Sequence, residues 1–305
     1  MTPSPVVASI GVYDGVHLGH VAVLDAAGEV ARRAAARLAV FTFDEHPDGV
    51  VTPGAPPPLL APASERVLLL RRAGAEEVRV LRFNDRLAAK SPERFLADHV
   101  FPWNRLAAMV VGYDFAMGRG RTGTTEVLRE LGLRLGFSVH EIPSKELGGE
   151  AVSSSRVRAA LARGEVEEAA RLLGRPYRVT GRVIGGEGRG VALGFPTANL
   201  DLPLRKMTPA RGVYAVRVTG SGLGGVPGVV NIGSRPTFGG GEETVEVHVI
   251  DRSGDWRGTV LSLDFASRVR DERKFNGPKE LADQIGRDAE RARNLLGGPR
   301  GADRH

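Results

Sequence analysis

A Rossmann-like α/β domain on a parallel sheet, followed by an antiparallel β domain and a C-terminal helix, is the architecture this sequence predicts. Three observations point to it. Up to about Leu173, short β-branched runs alternate with helix-like stretches, the signature of parallel strands joined by crossover helices. Beyond Gly174-Arg175-Pro176, strand-like segments follow one another with Gly- and Pro-rich turns and no helical pattern between them, which favours an antiparallel barrel or sandwich. One long amphipathic pattern then opens on Pro278 and runs to Leu296, with proline at a position that suits a first helical turn.

In the first domain the spacing predicts strands over 6–10, 38–43, 78–81, 109–111 and 138–142. Helices are expected over 20–33, 64–72, 91–100 and 124–135. Ser91-Pro92-Glu93 combines a serine cap, a first-turn proline and an acid at the positive end of the helix dipole. In the second domain strands are expected over 177–183, 213–218, 228–232, 244–250 and 260–267. The expected division is therefore a first domain over 1–174, a second over 175–296, and a frayed tail over 297–305.

The composition narrows the chemistry. The chain has 305 residues, 42% of them apolar, so each half is long enough to bury a core. No apolar stretch approaches the length of a membrane span. Asp14 and His17 interrupt the first apolar run and no basic leader precedes it, so a secretory signal is not expected. The absence of cysteine excludes disulfides, thiolate metal sites and cysteine nucleophiles. A formal charge of +6 comes from scattered arginines without a basic block. That fits nucleic acid, a membrane surface or small phosphorylated ligands alike, so charge alone selects no partner.

The strongest local signal follows the first strand: Gly11-Val12-Tyr13-Asp14-Gly15-Val16-His17-Leu18-Gly19-His20. It places two imidazoles at the carboxyl edge of the sheet, beside a helix N-terminus whose free N–H groups suit phosphate. Imidazoles there can donate to phosphate oxygens as charge moves onto departing pyrophosphate, and Gly15 and Gly19 allow close backbone approach. A zinc site would need a third ligand, and none with suitable spacing accompanies the pair. Ser153-Ser154-Ser155-Arg156-Val157-Arg158 opens a later helix with hydroxyls and cations. Gly112-Tyr113-Asp114-Phe115 leads into the glycine loop 118–123.

In the second domain, 181–190 is a glycine-rich turn after a strand, able to lay N–H groups around phosphate. Pro196-Thr197-Ala198-Asn199 follows; a threonine hydroxyl and an asparagine carbonyl are hard oxygen donors suited to Mg²⁺ on phosphates. On the strand Val245-Glu246-Val247-His248-Val249, Glu246 and His248 share the face opposite the valines. A carboxylate there could take the proton of an attacking hydroxyl.

These segments resemble the HxGH nucleotidyltransferase superfamily, specifically the bacterial bifunctional riboflavin kinase/FMN adenylyltransferase (FAD synthetase) family. Residues 13–20 match its opening motif, while Phe41-Thr42-Phe43-Asp44-Glu45-His46-Pro47, 112–115 and 153–158 are similar to the next three. Residues 177–295 resemble riboflavin kinase through Gly194-Phe195-Pro196-Thr197-Ala198-Asn199, Asn231-Ile232-Gly233-Ser234-Arg235-Pro236-Thr237 and Glu246-Val247-His248. The resemblance implies a β-barrel in the second domain. It implies that His17, His20 and Arg158 act on ATP, with Gly11, Tyr13, Asp14, Gly15, Gly19 and Ser155 around its phosphates. Asp44, His46, Asp114 and Phe115 would then lie with the flavin. In the kinase half it implies Glu246 as base, Thr197 and Asn199 on Mg²⁺, and Gly185, Gly188 and Arg189 on ATP. Asn231, Arg268 and Arg270 would contact flavin, with 268–275 as a flap.

The implied function is phosphorylation of riboflavin to FMN and adenylylation of FMN to FAD, with release of pyrophosphate. ATP is the co-substrate and Mg²⁺ the metal, and the location is cytoplasmic. No nucleic acid or membrane partner is expected, and a transient homo-oligomer is left open. The chain departs from the family pattern at Val12, Glu45, Ala116, Met117, Ser155 and Val191. Three of these, Val12, Ala116 and Met117, motivate an alternative: the same N-terminal chemistry on a flavin analogue or with CTP, or kinase activity alone.

Overall fold

A computed structural model describes residues 5–51, 54–102, 105–185, 190, 193–235 and 242–297, with the backbone alone at Val51, Arg235 and Glu242. Gly188, Arg189, Val191, Pro236-Thr237-Phe238 and the tail beyond Gly297 lie outside the described residues. The chain forms two compact units that divide between Ser154 and Ser155.

The first unit is a five-stranded parallel sheet in the order β3-β2-β1-β4-β5. Its strands are β1 (Pro5–Ile10), β2 (Arg37–Phe43), β3 (Glu77–Leu81), β4 (Arg105–Gly112) and β5 (Ser138–Ile142). The intervening helices are α1 (Leu18–Arg33), α2 (Asp48–Val51), α3 (Ala63–Arg72), α4 (Asp85–Ala88), α5 (Pro92–His99) and α6 (Thr125–Leu135). The central strands carry no polar face because both faces are covered. Val6, Ala8, Ile10, Phe41, Met109 and Val111 enter one core cluster, while Val7, Leu38, Val40, Ala108 and Val110 enter the other. The expected cap on α5 forms: Ser91 Oγ accepts from Arg94 N at 3.2 Å, with Pro92 at the first helical position.

A small hairpin, β6 (Glu146–Leu147) with β7 (Glu150–Ala151), ends this unit. Its two-residue turn, Gly148-Gly149, has positive φ at both positions, as a tight hairpin requires.

The second unit opens with α7 (Ser154–Ala162) and α8 (Val166–Leu173). It continues through β8 (Tyr177–Ile184), β9 (Ala198–Asp201), β10 (Gly212–Gly220), β11 (Leu223–Arg235), β12 (Glu242–Val249) and β13 (Val260–Arg270), and ends on α9 (Pro278–Leu296). The six strands close into an antiparallel barrel in the order β10-β11-β12-β9-β8-β13. The structure thus has a barrel where the spacing alone left barrel or sandwich open. Val247, Val230 and Tyr214 are fully buried on one face of the strands. On the other face, Val213, Ala215 and Val229 pack beneath Ala289, Ala292 and Leu296 of α9.

The compact-unit division precedes α7 and α8, whereas the change from alternating to antiparallel pattern follows them. Leu161 O accepts from Ala210 N at 2.8 Å, and Arg163 O accepts from Arg268 Nη1 at 2.8 Å, so this helical pair is fastened to the loop before β10 and to β13.

Candidate active sites

The strand order reverses between β1 and β4, and in such sheets the crevice at the reversal, outside the carboxyl ends, is the usual ligand position. The segments after β1 and β4 flank that point. His17 caps α1, its Nδ1 accepting from His20 N at 3.4 Å. The two imidazoles stack with centroids 3.7 Å apart and planes at 18°. The Tyr13 ring meets His20 edge-on at 5.0 Å.

Glycine gives room at position 19, where an added Cβ would stand 3.1 Å from the His17 ring and 3.2 Å from Val152 O, tighter than ordinary contact. The loop before the pair is unusual. Tyr13 and Val16 hold φ of 53° and 42° on either side of Asp14 and Gly15, values that non-glycine residues adopt only when their surroundings impose them.

Those surroundings are visible. Ser9 Oγ lies 2.6 Å from both Tyr13 OH and Val110 O. The Ser9 proton goes to the carbonyl, so Tyr13 donates to Ser9. Burial pushes the Tyr13 hydroxyl up to about 12, against a smaller lowering by the Ser9 bond. Asp14, 1% exposed, accepts Leu60 N (3.0 Å) and Ala61 N (2.9 Å) on its carboxylate, while its carbonyl accepts Ser154 Oγ at 2.9 Å. Its carboxylate therefore braces the loop. Gly11 N donates to Phe41 O at 3.0 Å.

At the end of β2, Asp44 accepts Glu45 N and Phe83 N, both at 2.8 Å, and His46 Nδ1 accepts Asp48 N at 3.3 Å. After β4, the Asp114 carbonyl accepts Arg121 Nη2 at 3.0 Å, and Phe115 packs against the core cluster that contains Met117. Met117 is 8% exposed and pairs with Gly123 in both directions, at 3.1 and 2.8 Å. The departure at Met117 is thus a core residue closing the glycine loop. Ser155 and Arg158 lie in the first turns of α7.

In the barrel, register assembles a second site. Glu246 pairs directly with Asn199 on β9 and with Asn231 on β11, so all three side chains stand in one cross-strand row on the same face. It is the outer face that carries Val213 and Val229 beneath α9. Asn199 is 8% exposed. Thr197 lies two residues ahead of it, and a Cβ on Gly190 would sit 3.2 Å from Thr197 Oγ1. His248 Nδ1 is 2.9 Å from Pro196 O, and Phe195 meets its ring edge-on at 5.5 Å. Gly185 is exposed, with open space around its Cα.

No group of three or more His, Asp or Glu side chains is arranged to hold a metal among the described residues. The neutral oxygens of Thr197 and Asn199 beside one carboxylate fit Mg²⁺ nonetheless, since that ion takes few protein ligands and keeps waters and phosphate oxygens.

Arg270 continues this row through Val213, which pairs with Asn231, but neither Arg268 nor Arg270 is a free cation. Arg268 donates to Arg163 O and Arg211 O, each at 2.8 Å. Arg270 grips Asp288 on α9 through Nε and Nη2, the shortest contact being 2.7 Å. Both are in β13, paired with Tyr214 and Val213, so the irregular part of the expected flap starts only at Asp271.

The family model described as FAD synthetase matches residues 1–156, and the one described as riboflavin kinase matches 173–296. Bifunctional riboflavin kinase/FMN adenylyltransferases of Escherichia coli (strain K12) and Bacillus subtilis (strain 168) are each 36% identical to this chain over 291 residues. Those alignments cover 95% and 94% of the chain, and 93% and 91% of the relatives. The chain belongs to the bifunctional riboflavin kinase/FMN adenylyltransferase family. A crystal structure of a protein named macrolide-efflux protein, from Streptococcus pneumoniae, matches with a TM-score of 0.88 at 33% identity over 96% of this chain and 95% of that one. Among the described residues here, no helix is long and apolar enough to cross a membrane.

Two buried charged residues, Arg66 and Asp288, carried no usable signal. Arg66 sits in an apolar-periodic helix, where an arginine reads as solvent-facing, and Asp288 sits in the arginine-rich α9. Their burial follows from tertiary partners distant in sequence.

Proposed function

We propose that this family member makes FAD from riboflavin in two steps, with FMN adenylylation assigned to residues 1–174 and riboflavin phosphorylation to 175–296. The observation that carries the reading is that one chain holds both a stacked imidazole pair at the head of α1 and an Asn199–Glu246–Asn231 row on a barrel. The first suits a triphosphate; the second suits a hydroxyl that must lose a proton near a metal-bound phosphate.

In the barrel, Glu246 accepts the proton of the riboflavin 5′-hydroxyl as its oxygen bonds to the γ-phosphorus of ATP, and the bond to the ADP oxygen breaks. Thr197 and Asn199 would hold Mg²⁺, which when bound neutralises charge on the phosphates. Asn231 orients the flavin, Gly185, Gly188 and Arg189 serve the nucleotide, and Arg268 and Arg270 fix the root of the flap.

In the N-terminal half, an FMN phosphate oxygen bonds to the α-phosphorus of ATP and pyrophosphate leaves. The nucleophile is already anionic, so no general base is needed. His17 and His20 donate to the triphosphate, together with Ser155 and Arg158. Gly11, Gly15 and Gly19 admit the nucleotide, while Tyr13 and Asp14 shape the loop around it. Asp44, His46, Asp114 and Phe115 form the flavin side. We assign a cytoplasmic location and Mg²⁺ as the metal.

Incubation of the protein with riboflavin, ATP and Mg²⁺, followed by chromatography of the flavins, tests this. FMN appearing first and FAD after it is expected. FMN without FAD would confine the activity to the barrel, and unchanged riboflavin would remove the kinase assignment.

A further inference from the structure

Arg66 heads the fully buried side chains by size and is 0% exposed, yet nothing in the proposed chemistry uses its charge. A guanidinium is among the costliest groups to bury and persists in a core only where strong partners hold it. Here Nη1 donates to Val12 O at 2.7 Å and Nη2 donates to Phe43 O at 2.8 Å. The planar fork of arginine can hold two carbonyls at a fixed separation. Val12 lies in the loop that follows β1, and Phe43 is the last residue of β2. Thr42 Oγ1 adds a second donor to Val12 O, at 2.9 Å.

On the far side of the same loop, Leu60 N and Ala61 N hold the Asp14 carboxylate. Residues 60–66 therefore grip the loop at Val12 and again at Asp14, on both sides of Tyr13 with its φ of 53°. The imidazole stack begins three residues after Asp14. Burial lowers the Arg66 pKa, and the carboxylates of Asp14, Asp44 and Glu45 oppose that, so the cation is also placed to complement the acidic residues at the end of β2.

We propose that Arg66 is a positioning residue of the adenylyl-transfer site. Its fork sets the carbonyl of Val12 against that of Phe43, keeps the loop in its unfavourable conformation and so aims His17 and His20. The proposal rests on the FMN-adenylylating role assigned to that site.

The test is steady-state kinetics of FMN adenylylation by the full chain, per mole of folded protein, with riboflavin phosphorylation measured on the same preparations. Arg66→Met is expected to lower kcat about tenfold or more while the KM for ATP stays within about threefold, on the scale that misalignment by an ångström costs. Arg66→Lys keeps the charge but puts a single point donor in place of the fork, so it is expected to recover only part of the lost kcat. Thr42→Val, a near-isosteric change, should lower kcat about threefold by removing the second bond to the same carbonyl. Phosphorylation of riboflavin should be unchanged in all three.

An Arg66→Met protein with wild-type kcat per folded molecule, or one whose loss only tracks its unfolded fraction, overturns the proposal. If Arg66→Met does not fold, an unchanged kcat in Thr42→Val overturns it. A wild type that makes no FAD from FMN would instead remove the function assigned to the site, an outcome separate from either.

Discussion

Replacing Asp288 by alanine strips the Arg270 guanidinium of a carboxylate held at 3% exposure. Asp288 accepts Arg270 Nε at 3.1 and 2.9 Å, Arg270 Nη2 at 2.7 Å, and Gln284 Nε2 at 2.7 Å. Removing one partner of a buried pair costs about 3–5 kcal/mol, because the other charge stays behind. The Arg270 side chain is 20% exposed and keeps a bond to Asp271 O at 2.9 Å, so water and backbone take up part of that charge. The expected loss is therefore near the lower end, about 3 kcal/mol. For a unit the size of Ser155–His305, about 2–4 °C of Tm accompanies each kcal/mol, so the variant should melt about 6–12 °C lower.

The loss should also be felt in function. Asp288 anchors β13 to α9 immediately before the segment that carries Phe275, whose ring lies 5.7 Å from Arg270 and 4.6 Å from Arg273. The KM for riboflavin should rise, while FMN adenylylation at 25 °C stays unchanged. Calorimetry of the full chain with flavin kinetics on the same preparation is the assay. A Tm shift under about 2 °C with an unchanged KM would put this pair on the scale of an exposed surface ion pair and refute the reasoning.

Two further outcomes are expected. His248→Ala removes the bond to Pro196 O at 2.9 Å, so the turn bearing Thr197 loosens and riboflavin phosphorylation should fall about fivefold, the equivalent of one hydrogen bond; unchanged kinase kinetics would show that the turn is held without it. Tyr13 is raised from 10.0 to about 12, so the folded protein holds this proton more tightly than the unfolded chain. Its stabilising contribution is complete below pH 10 and is lost as pH rises to 12, by about 3 kcal/mol for a two-unit shift. Thermal melts of wild type and Tyr13→Phe from pH 8 to 12 should converge or cross over that interval, and a constant gap would contradict the assignment.

Much of this was legible in the chain, for identifiable reasons. The segment 38–43 reads as a strand because the inner strands of a parallel sheet are apolar on both faces. The helix start at Ser91 was legible because its cap and proline are local chemistry. α1 starts at Leu18, two residues before the expected His20, since a histidine cap is not a usual N-terminal signal and His17 makes one by accepting from His20 N.

β9 was hidden for a different reason. Ala198–Asp201 follows a proline and includes asparagine, so it reads as a turn, and it becomes a strand only by pairing with β8 and β12. β11 runs from Leu223 to Arg235 although glycines and Pro227 broke its pattern outside 228–232. The motif residues Glu246, Asn199 and Asn231 could be named from sequence, but their alignment in one row depends on barrel register. Arg66 was illegible because its carbonyl partners lie 54 and 23 positions away.

The account stands on two separate phosphoryl-transfer sites in one chain. The most direct measurement compares folded His20→Ala and Glu246→Ala proteins, each supplied in turn with riboflavin and with FMN, plus ATP and Mg²⁺. The first should convert riboflavin to FMN and stop there. The second should convert FMN to FAD while leaving riboflavin untouched. Loss of both conversions in either folded protein would contradict the account.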